Sequence, residues 1–258
     1  MTTTAIEAAV LRVIDEMHAN LGQELTIDDM ARTAMFSKFH FTRIFRNVTG
    51  TSPGRFLSML RLQEAKRLLI ETEFSVADIS SQVGYSSVGT FSSRFKACIG
   101  VSPSMFRERD GFAPEIGFAP VHTPSVPGIR STLRGRVQVS EGRAPGYCFV
   151  GLFPTPVPQG QPVRCTVLEG PSSFELCDVP VGTWYVLVHS VPYGYEHLPS
   201  GTGDNDAVSV GCYGPVTAHA DTLMMPAEIT LRPLHASAPP VLTALLDLRN
   251  HALDAVAS

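Results

Sequence analysis

The chain has 258 residues, 44% of them apolar and 17% charged, with a formal net charge of −4. That length suits two domains with real cores, and the charge argues against a uniformly basic coat for nucleic acid. The charge is unevenly placed: residues 1–112 carry 13 Lys/Arg and 12 Asp/Glu, whereas residues 113–258 carry 7 and 12, so the acidic second half is a poor surface for phosphate.

The first half reads as helices. Residues 6–20 set Ile6, Val10, Val13, Ile14 and Met17 on one face. Thr26 is a helix N-cap, with Asp28 and Asp29 in the first turn; a short turn then leads to Ser37-Lys-Phe-His-Phe-Thr-Arg-Ile-Phe-Arg. Gly50-Thr-Ser-Pro stops one helix and starts the next. Residues 52–70 form an amphipathic helix, roughly 27 Å long at 1.5 Å per residue. About 50 residues after the first copy the pattern recurs: Ser75 as N-cap with Asp78 completing a capping box, then Gly84-Tyr85, then Ser87-Val-Gly-Thr-Phe-Ser-Ser-Arg-Phe-Lys, then Gly100-Val-Ser-Pro. A helix–turn–helix repeated on either side of a long strut is what a reader of two successive major grooves needs, since one duplex turn is roughly 34 Å.

The composition changes near residue 112. Four prolines in residues 113–130 mark an extended linker. Beyond it, alternating runs at 132–139, 147–153, 162–168, 173–178, 182–191, 208–216 and 227–234 predict seven strands, read as an antiparallel β-sandwich spanning the domain 131–258. Residues 239–255 predict a terminal helix with a broad apolar stripe. The fold class is therefore multidomain α and β: an all-α double helix-turn-helix domain at 1–112, then an antiparallel β-sandwich followed by a terminal helix.

No 18-residue apolar run exists, and residues 1–10 lack a basic region followed by a hydrophobic one, so a cytoplasmic chain without a membrane partner is expected. The five cysteines show no CxxC pair and are expected as reduced thiols, with Cys148, Cys165, Cys177 and Cys212 as small buried residues. The histidines lack ligand spacing, so no metal or cofactor is expected, and no nucleophile–base pair marks an enzyme. The long loop holding Tyr193, Tyr195 and His197 is the candidate ligand site.

Residues 5–109 resemble the DNA-binding domain of the AraC/XylS family. The residues carrying the resemblance are Ser37, Lys38, Phe39, His40, Phe41 and Phe45; Gly50-Thr51-Ser52-Pro53; Arg61, Ala65, Leu68 and Leu69; Ile79, Gly84, Tyr85 and Ser86; Phe91, Ser92, Phe95 and Lys96; and Gly100 to Pro103 with Phe106 and Arg107. The resemblance implies two recognition helices, near 37–47 and 87–98, that enter the major groove of double-stranded promoter DNA. It assigns Phe39, Thr42 and Arg43 to bases and Lys38 and Arg46 to phosphates. In the second helix it assigns Val88, Gly89, Ser92 and Ser93 to bases, with Ser86, Ser87 and Lys96 on the backbone. Arg94 stands one residue past the position where many members carry Arg. Arg61 is read as structural, paired with an acid. The strands resemble transthyretin-like and carboxypeptidase-regulatory-like sandwiches through Phe174 to Tyr185, Gly135-Arg-Val and Ile229-Thr-Leu. Together these imply a transcription regulator that answers to a small effector or a partner. The alternative makes the second half a constitutive interaction or homodimerisation module, for RNA polymerase or another protein, with no effector.

Overall fold

The computed structural model describes residues 3–111, 131–139, 146–160, 162–193, 208–219 and 224–242. They divide into two compact units, one of Met1–Gly111 with His235–Thr243 and the other built on the strands.

Seven helices make the first unit: α1 (Thr3–Ala19), α2 (Ile27–Thr33), α3 (Lys38–Thr49), α4 (Pro53–Glu71), α5 (Val76–Gln82), α6 (Val88–Ile99) and α7 (Pro103–Glu108). Two capping boxes start the short helices. Thr26 Oγ1 accepts from the Asp29 N–H at 3.2 Å while the Thr26 N–H donates to the Asp29 carboxylate at 3.1 Å. Ser75 and Asp78 repeat this at 3.1 and 3.3 Å. The hydrogen bonds from Thr26 and the contact with Arg32 hold the Asp29 carboxyl below its ordinary range. Gly50 and Gly100, both left-handed, end α3 and α6, and Ser-Pro pairs open α4 and α7.

The duplication extends into the core. Phe41 meets Phe45 at 5.5 Å between ring centroids, and Phe45 meets Phe56 edge-on at 5.4 Å. Fifty residues on, Phe91 meets Phe95 at 5.7 Å and Phe95 meets Phe106 at 5.5 Å. Each trio is fully buried, so each recognition helix is seated by the same three-ring ladder.

The second unit holds β1 (Ser131–Val139), β2 (Gly146–Phe153), β3 (Arg164–Leu168), β4 (Ser173–Val179), β5 (Gly182–Pro192), β6 (Ser209–Ala218) and β7 (Ala227–Pro233). All seven expected strands form, but the two-sheet antiparallel sandwich does not. The strands make a single sheet in the order β3-β2-β5-β6-β7-β1-β4, with β1 and β7 parallel. The ends curl together: Arg164 Nε on β3 donates to the Cys177 carbonyl on β4 at 3.2 Å, leaving a nearly closed barrel. Its interior is packed with Leu133, Val150, Leu152, Val186, Val188, Ile229 and their neighbours. Alternation fixes which face of a strand is apolar, but not which strand lies beside it. It also misplaced two thiols. Cys148 is buried, but Cys177 and Cys212 are exposed on their strands, and burial pushes the Cys148 and Cys165 thiols up. The expected terminal helix is not seen where it should begin, since residues 239–242 are irregular around Pro239 and Pro240; its remainder, like the linker 113–130, lies outside the described residues.

The turns of the two motifs differ in one residue type. Gly84 has φ +80°, and a Cβ there would lie 2.5 Å from the Leu21 carbonyl oxygen. In the first motif Met35 holds φ +59° with its side chain 84% exposed. Left-handed backbone costs an ordinary residue about 1–2 kcal/mol, against about 0.4–1 kcal/mol of extra unfolded-chain entropy for glycine. Met35→Gly is therefore expected to stabilise the helical unit by up to about 1 kcal/mol, and Gly84→Ala to destabilise it by at least about 2 kcal/mol through strain and clash. Urea unfolding followed by helical circular dichroism measures both. A stabilising Gly84→Ala would contradict the close approach at Leu21.

Candidate nucleic-acid interface

The buried side chains of α3 (Phe41, Ile44, Phe45) and of α6 (Phe91, Phe95, Ile99) define each helix's inner face. With 3.6 residues per turn, the opposite face of α3 carries Phe39, His40, Arg43 and Asn47, and that of α6 carries Gly89, Thr90, Ser93 and Ala97, all exposed. The two sets correspond at a spacing of 50 residues.

On α3, Phe39 is 89% exposed, an unusual position for a large apolar ring and a fitting one for a groove-facing contact. Arg43 and Arg46 are exposed and, among the described residues, make no ion pair. Thr42 is half-buried, and its hydroxyl donates to the Lys38 carbonyl at 2.8 Å, which leaves its methyl and an acceptor lone pair. Lys38 reaches back to α2, with Nζ 3.1 Å from the Asp28 carboxylate. His40, read from the sequence as a helix-surface or packing residue, is exposed and lies flat on Phe36 at 5.0 Å. Asn47 and Thr90 were also missed, although the 3.6-residue period from Phe41 and Phe91 points to both.

On α6 the outward positions are small. Gly89 has open space around it, with only Ser87 Oγ within reach of an added Cβ at 3.7 Å. Val88 is 42% exposed, Ser93 exposed and Ser92 half-buried. Ser87 Oγ accepts from the Thr90 N–H, capping the helix, and Ser86 beside it is exposed. Lys96 is exposed on the helix flank, among the described residues without an ion pair. Arg94 lies on the other flank, where its charge bears on Tyr85 and Cys98.

One arginine joins the two motifs. Arg61, in mid α4, donates from Nε to the Leu21 carbonyl at 2.9 Å and from Nη2 to the Gln23 carbonyl at 2.7 Å. Its partners are backbone carbonyls of the α1–α2 loop, not the acid expected from sequence. The same loop meets the second motif: a Cβ at Gly22 would lie 2.6 Å from the Gln82 carbonyl oxygen, and one at Gly84 2.8 Å from Arg61 Nη2. Beside Arg61, Tyr85 shares a 3.0 Å hydrogen bond with Ser58, and burial pushes its phenol up. Arg107 is a second bracket, donating to the carbonyls of Leu69, Thr72 and Phe74 where α4 ends.

Of the candidate ligand residues, Tyr193 is 42% exposed at the end of β5 and meets Tyr147 edge-on at 5.1 Å. Tyr195 and His197 lie outside the described residues. Among the described residues no group of His, Cys, Asp and Glu is placed to hold a metal, and no helix is long and apolar enough to cross a membrane.

Residues 30–109 match the family model described as a helix-turn-helix domain. The chain is 35% identical over 94 residues to the HTH-type transcriptional activator AarP of Providencia stuartii, covering 36% of this chain and 70% of that one. It is 31% identical to the lactose operon transcription activator of Staphylococcus xylosus, covering 38% of this chain and 35% of the relative, and 35% identical to the RCS-specific activator RclR of Escherichia coli, covering 38% and 34%. The chain thus spans only about a third of those two longer relatives. Among solved structures it is similar to the DNA-binding domain of AdpA in complex with a target DNA, at 27% identity and TM-score 0.38 over 39% of this chain and 90% of that one. It is likewise similar to an AraC-type regulator from Chromobacterium violaceum, at 28% identity and TM-score 0.39 over 43% and 96%.

Two outcomes are expected. Arg61→Ala leaves two loop carbonyls without their charged donor and costs about 2 kcal/mol of helical stability. It should also let the protein tolerate a base pair inserted between half-sites. Unchanged spacing preference in a binding assay would show that α4 alone sets the separation. Asp28→Asn releases Lys38 from a surface pair worth about 0–1 kcal/mol. Affinity for all DNA sequences should rise a few-fold, and the salt slope should steepen by roughly one phosphate contact; a salt titration with random duplex checks this.

Proposed function

The chain belongs, through its N-terminal helix-turn-helix unit, to the AraC/XylS family of transcription regulators, and on that premise we propose that it grips promoter DNA with one strong reading helix and one anchoring helix. It is a DNA-binding regulator of transcription and not an enzyme. The observation that carries the proposal is the mismatch between equivalent outward positions: Phe39 and Arg43 on α3 face the same way as Gly89 and Ser93 on α6.

Direct readout needs side chains that reach base edges. Arg43 can bond guanine through two parallel hydrogen bonds, Phe39 and the Thr42 methyl can pack on thymine methyls, and Arg46 and Lys38 supply phosphate contacts. On α6, Val88, Gly89, Ser92 and Ser93 offer two short hydroxyls. Ser86, Ser87, Lys96 and Arg94 flank them and suit the sugar–phosphate backbone. The first helix then chooses the site, and the second adds affinity with little sequence preference.

The β unit, with its own closed core, is assigned the regulatory role, setting activity in answer to a small ligand or a partner. A second reading, favoured by the outward Val181 (68% exposed) and Met225 (77% exposed), makes it a constitutive surface for a second copy or for RNA polymerase. Melting of the full chain with a metabolite panel separates the two, because a ligand that binds only the folded state raises the transition.

Selection of bound sites from random duplex tests the central reading. The expected profile has one sharply specified half-site and, about one turn away at roughly 34 Å, one loosely specified half-site. Arg43→Ala should relax preference at one position of the sharp half-site and cost about 1–3 kcal/mol. Lys96→Ala should weaken binding on every sequence alike. Two half-sites of equal information content would overturn the proposal.

A further inference from the structure

A cavity of about 520 Å³ lies where the two motifs meet, lined by the α1–α2 loop, α4, the end of α5 and the turn before α6. Its size falls within the roughly 300–1,000 Å³ of small-molecule sites. Leu25, Arg61 and Tyr85 line it from half-buried positions, and Glu24, Ser81 and Ser86 from exposed ones. All of them belong to the helical unit. The walls are firm: a Cβ at Gly22 would lie 2.6 Å from the Gln82 carbonyl oxygen and one at Gly84 2.5 Å from that of Leu21, so loop and turn pack backbone to backbone.

The cavity holds one cation and one anion that do not pair. Among the described residues neither Arg61 nor Glu24 makes an ion pair. A guanidinium has five N–H donors. Two of those of Arg61 serve the Leu21 and Gln23 carbonyls, and the others have no acceptor among the described residues. A carboxylate complements such a fork, because two parallel N–H···O bonds fit its geometry. A ligand that was only an anion would also meet the Glu24 charge, and one that was only a cation would meet Arg61. A small molecule carrying both charges close together suits both residues. Leu25 and the Tyr85 ring offer apolar surface to its side chain, and the Ser81 and Ser86 hydroxyls offer hydrogen bonds.

We propose that this cavity binds a free α-amino acid, with its carboxylate on Arg61 and its ammonium toward Glu24. Bound there, the amino acid links the loop of the first motif to the turn of the second and reinforces the Arg61 bracket. It then alters the grip on DNA from within the helical unit, without a part for the β unit. Amino acid and DNA must shift each other's affinity by the same factor. This coupling rests on the DNA-binding reading above; the binding itself does not.

The test titrates the full chain, without DNA, with the common L-amino acids by calorimetry. At least one is expected to bind with a Kd of about 1 mM or tighter. The same molecule without its carboxylate should bind about tenfold more weakly, and without its amino group several-fold more weakly, as the partner of an exposed carboxylate should. Glu24→Gln should remove the preference for the amino group, and Glu24→Lys should reverse it. Ser81→Trp, which fills the cavity from an exposed position, should abolish binding. If that variant does not fold, the two Glu24 variants decide, since the Glu24 side chain makes no ion pair to lose. No binding by any amino acid would overturn the site, and so would binding that is indifferent to Glu24→Lys or that persists in folded Ser81→Trp. Equal affinity for the analogue without an amino group would overturn the choice of an amino acid. The bound amino acid is expected to change affinity for a selected DNA site at least threefold; binding with no such change would overturn the coupling. A wild-type chain that binds no DNA site would overturn the DNA reading, while the titrations still decide the cavity.

Discussion

The two-motif geometry depends on the contact between the α1–α2 loop and the turn that precedes α6, bracketed by Arg61. Two backbones pass so closely there that Gly22 and Gly84 have no room for a Cβ, and the guanidinium closes the joint by taking two loop carbonyls. A lysine could serve one such carbonyl at a time, whereas the planar fork serves both from one position. Burial lowers the Arg61 pKa, yet a guanidinium stays charged throughout the physiological range, so the bracket does not loosen with pH. With the joint fixed, α4 becomes a spacer of defined direction, about 28 Å long at 1.5 Å per residue. The distance between recognition helices then follows from packing and not from chain flexibility.

Upon that frame, duplication and divergence are distributed by depth. Inside, the two motifs are nearly copies: the same capping box, the same three-ring ladder and the same left-handed glycine at the helix end. Outside, they differ at the exposed positions of the helix face opposite the ladder. Ladder rings are each constrained by several neighbours, so a change there costs stability in both copies alike. Outward residues are constrained by little in the protein itself, as the open space around Gly89 illustrates. Divergence is cheap at such positions, and it is there that α3 keeps Phe39 and Arg43 while α6 has Gly89 and Ser93.

The second unit is held by a different logic. Its sheet joins β1 to β7 in parallel across most of the domain's length, and β3 meets β4 through Arg164, so the first and last described strands lie side by side. Parallel neighbours so distant in sequence leave no local trace, because no turn connects them.

The sequence by itself determined the helices, their caps, the repeat and the strand positions, because each is written in a local period or a local hydrogen bond. Thr26 with Asp29, Ser75 with Asp78, and Gly50 and Gly100 are recognisable from three or four consecutive residues. The candidate DNA-facing residues came from the family resemblance and not from a local period; the structure leaves Phe39, Arg43, Gly89 and Ser93 exposed, opposite the buried Phe41 and Phe91. Other features depended on residues far apart in the chain and were decided only by the tertiary structure. Arg61 exchanged its expected acid for the carbonyls of Leu21 and Gln23, some 40 positions away. Lys38 turned to Asp28, Cys177 and Cys212 came to face outward, and the sandwich became one mixed sheet. The residues at 239–242, read as a helix start from their apolar spacing, are instead irregular around Pro239 and Pro240, with Val241 and Leu242 buried.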